Sequence, residues 1–62
     1  MLIEINTSDN NKAAKLLNFF KTTTSSKNGL VYIEYEDVDQ LPAIRRILEE
    51  AGIKVFNIEL IQ

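Results

Sequence analysis

The stretch Asp39-Gln-Leu-Pro-Ala-Ile-Arg-Arg-Ile-Leu-Glu-Glu-Ala-Gly-Ile-Lys-Val-Phe-Asn-Ile-Glu-Leu-Ile61 decides how the 62-residue chain is read. Ile44, Ile47, Leu48 and Ala51 recur at i, i+3, i+4 and i+7, which places one apolar stripe on a helix. Arg45, Arg46, Glu49 and Glu50 fill the opposite side. Asp39 reads as the N-cap and Pro42 falls in the first turn, where a missing N–H costs nothing. Gly52 supplies a left-handed residue just past the helix end. From Ile53 the apolar period switches to two, with Phe56, Ile58 and Leu60 expected on one side of a strand.

Working back from this helix and strand, Met1–Asn6 alternates as a first strand, with Ile3 and Ile5 inward and Leu2, Glu4 and Asn6 outward. Ser8 or Asp9 opens a helix whose core face is Ala13, Leu16, Leu17 and Phe20. That helix is expected to end near Lys21, because Thr22, Thr23 and Thr24 are β-branched. The threonines with Ser25 and Ser26 read as a short polar edge strand, and Lys27-Asn28-Gly29 as the turn, since Asn-Gly accepts the positive φ values that tight hairpins demand. Leu30–Glu36 is then the return strand, with Val31, Ile33 and Tyr35 alternating against Leu30, Tyr32 and Glu34. The order β-α-β-β-α-β predicts a single α+β domain over residues 1–62. It is a ferredoxin-like split-βαβ sandwich, with two helices on one face of an antiparallel four-stranded sheet and the first and third strands at its centre.

Composition narrows the function classes. With no Cys and no His, disulfides are excluded and thiol or imidazole metal sites have no ligands. A net charge of −2 and only seven basic residues argue against a phosphate-binding surface. The third strand shares Gly29, Tyr32, Ile33 and Tyr35 with the aromatic signature of RNA-recognition domains. It lacks the leading base, however, and the first strand has no stacking aromatic. No apolar run approaches the length of a membrane helix, and the expected compartment is the cytoplasm.

The carboxylate pairs Glu34/Glu36, Asp37/Asp39 and Glu49/Glu50 read as caps and solvated surface. With two glycines there is no phosphate-cradling loop either, so catalysis and a bound cofactor are not expected. The loop 6–11 ahead of the first helix is the place where a regulatory module would hold a small anion, although capping explains the same residues. The sheet face away from the helices is expected to carry Leu2, Leu30, Tyr32, Val55 and Ile61 among Glu4, Glu34, Asn57 and Glu59. Five apolar side chains on one open face make a candidate protein interface.

The run Leu41–Phe56 resembles the D-x-P-x-I-x-x-x-L-x-x-x-G-[IL]-x-V segment of a small domain in bacterial ABC transporters. That domain follows the ATPase domain in the ATP-binding subunits of bacitracin-resistance-type and multidrug exporters. Asp9, Ala13, Leu16 and Leu17 are similar to its first helix, and Gly29, Val31 and Ile33 to its next strand. Asp39 lies one place further from the proline than the family's aspartate. The family's usual [ST]-L-E-[DE]-x-[FY] continuation after the last strand is not matched, and neither the Walker A loop nor the L-S-G-G-Q run is present. The resemblance implies a non-catalytic accessory domain, either cut from or standing beside an ATP-binding subunit. Such a domain pairs subunits or docks on the ATPase core, and meets the membrane only through its transporter partner. The contact is expected on the open face or along the edge strand 54–61.

Overall fold

A computed structural model describes all 62 residues. The elements are β1 (Leu2–Thr7), α1 (Asn10–Leu16), β2 (Thr22–Thr24), β3 (Val31–Glu34), α2 (Gln40–Glu50) and β4 (Val55–Ile61). They form an antiparallel sheet in the order β2-β3-β1-β4, so the first and third strands are the central pair. The chain is an α+β fold of ferredoxin-like type, as its apolar periods require. Ile3 and Ile5 on β1, Val31 and Ile33 on β3, Ala13 and Leu17 of the α1 segment, and Ile44 and Leu48 on α2 join Ile53 in one core. Alternate strand residues and helix residues spaced at i and i+4 meet in a single layer, which leaves the other sheet face uncovered.

Helix α2 ends in a Schellman motif. Gly52, at φ +77°, donates its N–H to the Glu49 carbonyl at 3.0 Å, and the Ile53 N–H reaches the Leu48 carbonyl at 3.0 Å. Ile53 and Leu48 are both buried, which supplies the apolar contact that accompanies this motif. The start of α2 departs from expectation. Asp39 occupies the N-cap position, yet its side chain makes no capping bond. The first-turn N–H groups of Gln40, Leu41 and Ala43 go to the Asp37, Val38 and Asp39 carbonyls. The Gln40 side chain ties the turn before the helix to β3. Its Oε1 accepts from the Glu36 N–H at 2.6 Å and the Asp37 N–H at 2.9 Å, and its Nε2 donates to the Glu34 carbonyl at 3.2 Å.

Three further boundaries differ from the sequence reading. Helix α1 stops at Leu16 rather than near Lys21. The Leu17 carbonyl leaves the i to i+4 ladder and accepts from the Phe20 N–H at 3.0 Å and the Thr22 hydroxyl at 2.7 Å. The β2–β3 turn is wider than Lys27-Asn28-Gly29, because β2 ends at Thr24 and Ser26 joins the turn. Only Gly29 has positive φ, and residues 26–29 form one wider turn sealed by the Gly29 N–H to the Ser25 carbonyl at 2.8 Å. Strand β4 carries a bulge. Asn6 pairs with Asn57 but Thr7 pairs with Val55, so Phe56 is the extra residue.

Candidate functional site

The bulge rearranges the surface that strict alternation predicts. Val55, expected on the uncovered face, instead packs against the core from the helix side. Phe56, expected on the core side, is 58% exposed. Leu30 lies just ahead of β3, is half-buried, and by alternation shares the side of Tyr32. Of the five apolar side chains expected on the uncovered face, Leu2, Tyr32 and Ile61 lie there on paired strands, Leu30 shares their side just ahead of β3, and Val55 alone is turned away.

Their placement follows from register. Leu2 lies directly opposite Ile61 on one side and Glu34 on the other, and Tyr32 sits diagonally from Leu2, opposite Glu4. Leu2, Tyr32 and Glu34 line a shallow depression of about 390 Å³ with Lys21, Thr22 and Thr23. Around this apolar strip the face is acidic. Glu4 lies directly across from Glu59, a like-charge pairing that costs free energy in a sheet. The Tyr32 hydroxyl donates to Glu4 Oε2 at 2.9 Å and accepts from the Asn28 amide at 3.1 Å, which gives one of the two carboxylates a strong partner. Glu59 has only the Asn57 amide at 3.5 Å. The Lys21–Glu34 contact at 4.0 Å joins two exposed side chains and contributes little.

A second apolar region runs along β4, the outer strand of the sheet. Phe56 and Leu60 are exposed there, and Ile58 lines a shallow depression with Leu41, Pro42 and Arg45 of α2. Helix α1 lies against β1, β2 and β3, and α2 lies along β4, yet Phe56 and Leu60 at this margin stay exposed. The edge strand 54–61 is expected as a contact only through the family resemblance, since periodicity alone places Phe56, Ile58 and Leu60 on one side of a strand and says nothing of its position at the sheet margin. The run Val55–Ile61, with a single charge in seven residues, was the available signal.

The loop into α1 uses its own donors. Asn10 Oδ1 accepts from the Thr7 N–H at 2.8 Å and from the Thr7 hydroxyl at 2.9 Å, and Asp9 Oδ1 accepts from the Lys12 N–H at 3.1 Å. The Ser8 N–H goes to the Lys54 carbonyl at 2.9 Å. These bonds occupy groups that an anion would need. Of the acidic pairs, Glu50 meets Arg46 at 3.1 Å and Asp37 accepts from the Asp39 N–H at 2.6 Å, so both act in local structure. No group of three or more Asp or Glu side chains is placed to hold a metal ion. No helix is long and apolar enough to cross a membrane.

Comparison with family models, curated proteins and solved structures returned no match to this chain.

Proposed function

We propose that this domain is a non-catalytic interaction module, whose contact surface is the uncovered sheet face continued onto the β4 edge. The observation that carries this reading is the grouping of Leu2, Tyr32 and Ile61 on the open face beside Phe56 and Leu60 on the adjoining strand. Apolar side chains gathered this way favour removal from water by a partner surface. The likeness of Leu41–Phe56 to ABC-transporter ATP-binding subunits supports a specific setting. There the module pairs two ATP-binding subunits or docks on the ATPase core of a bacterial exporter, on the cytoplasmic side and held at the membrane by the transporter alone. Glu4, Glu34 and Glu59 on the open face oppose a nucleic-acid partner, because they repel phosphate.

The test is substitution at the centre of the strip. Tyr32→Lys adds a cation among apolar groups while still offering Glu4 a charged neighbour. It is expected to weaken association, with itself or with an ATP-binding subunit, at unchanged far-UV circular dichroism. Equal association by the variant and the parent chain in sedimentation and pull-down measurements would rule out the open face as the contact.

A further inference from the structure

The two edges of the sheet are unequal. Strand β2 has three residues, all threonine, whereas β4 has seven and no proline, and its single charge is Glu59. Natural edges are commonly blunted by brevity, proline, lysine or a bulge; β4 has its bulge at Phe56, near its start, and none of the other devices within its length.

The hydrogen-bond phase of β4 follows from its neighbours. The Tyr35 N–H donates to the Met1 carbonyl at 3.0 Å, so the odd-numbered residues of β1 turn their main-chain groups toward β3. Leu2, Glu4 and Asn6 must then address β4, where they face Ile61, Glu59 and Asn57. By the same alternation Ile58 and Leu60 direct their N–H and C=O groups away from the sheet, into the open edge.

We propose that β4 pairs antiparallel with β4 of a second copy of this chain, about a two-fold axis through Ile58. This deepens the interaction-module reading and rests on it. In that register Ile58 faces its own copy in a hydrogen-bonded pair, and Phe56 lies across from Leu60. Asn57 lies across from Glu59, twice by symmetry. The last pair selects the register and the partner. Glu59 already confronts Glu4 inside the chain with only a 3.5 Å amide contact of its own, and the copy's Asn57 brings a donor to its free side. Moving the axis to Glu59 sets two carboxylates face to face, and moving it to Asn57 leaves Glu59 opposite Val55. The segment is complementary to itself about Ile58, so a second copy fits the edge. The dimer would carry one continuous eight-stranded sheet, with the apolar strip of each open face on the same side.

The chain has no cysteine, and Asn57 and Glu59 are exposed, so the register can be read by cross-linking without disturbing the core. Facing residues of a non-hydrogen-bonded pair lie about 4.5 Å apart at Cα, within disulfide range. An oxidised mixture of Asn57→Cys and Glu59→Cys chains is expected to form a disulfide-linked dimer, while either variant alone stays uncrosslinked. Without cysteines, Asn57→Glu is expected to loosen the sedimentation dimer about tenfold and Asn57→Lys to tighten it. Cross-linking of one variant with itself, and none in the mixture, overturns the register. A dimer that ignores both Asn57 substitutions but is lost in Tyr32→Lys overturns edge pairing while keeping the interaction module, with contact through the open face. A chain that is monomeric at about 1 mM, an affinity limit near −4 kcal/mol, overturns self-pairing. The module reading then depends on binding to an ATP-binding subunit alone.

Discussion

Gln40 shows how much one polar side chain can organise in a domain this small. Buried at the start of α2, it closes the chain reversal from β3 by satisfying two N–H groups and one carbonyl that neither element can pair. Replacing it by alanine leaves those groups without protein partners. Because Glu36 and Asp37 are exposed, water recovers part of the loss. Gln40→Ala is expected to cost about 1–3 kcal/mol, read from the midpoint of denaturant unfolding at unchanged slope. Sequence reasoning gave the capping role to Asp39, the usual residue type at that position. The geometry gives it to main-chain carbonyls of the preceding turn, and the Gln40 side chain instead braces that turn by reaching back to β3. Glycine at position 52 was legible, since an apolar helix stripe that ends at Ala51 needs a left-handed residue next to turn the chain into β4. Nothing lies within 4 Å of an added Cβ there, so Gly52→Ala tests backbone conformation alone. The expected loss is about 1 kcal/mol in the same unfolding measurement.

At the scale of elements, helix and strand identity follows from periodicity, while boundaries follow from competition for orphan groups. The Phe20 N–H and the Thr22 hydroxyl share the Leu17 carbonyl where α1 ends, and the Ser25 and Asn28 side chains accept from the Lys27, Asn28 and Leu30 N–H groups around the hairpin turn. The β4 bulge has the largest consequence. One inserted residue reverses the facing of Val55 and turns Phe56 toward solvent, because side chains alternate with a strict period of two. A strand read in isolation contains no record of where its partner skips a residue. The β1–β4 ladder also contains a correctable defect in the Glu4–Glu59 pair. Glu4→Gln keeps an acceptor for the Tyr32 hydroxyl and removes the repulsion. It is expected to stabilise the fold by about 0.5 kcal/mol, with the gain over the parent chain shrinking as salt is added. A variant less stable than the parent at low salt would show that the Tyr32–Glu4 bond depends on the full carboxylate charge.

For the whole molecule, the margin is narrow. Nine core residues hold four strands and two helices with no disulfide. Domains of this length have a total stability of roughly 3–9 kcal/mol. Ile33 is fully buried at the centre of the sheet, and Ile33→Ala is expected to cost about 2–5 kcal/mol through lost burial and the cavity left behind. The predicted result is a chain without a cooperative thermal transition above 37 °C, checked by near-UV circular dichroism. A second copy along β4 would add stability that grows with concentration, so the thermal midpoint of the parent chain is a further reading on self-pairing.

The order of elements, the central pairing of the first and third strands and the core positions on β1, β3 and the two helices were all written in the chain. Each depends on the spacing of apolar residues and on a few short-range backbone preferences. Which residues form the outer surface was decided only in three dimensions. Val55, Phe56 and Leu60 take their environments from a register skip and from the place of β4 at the margin of the sheet. Both arise where two distant segments meet, and local periodicity carries no information about such a meeting.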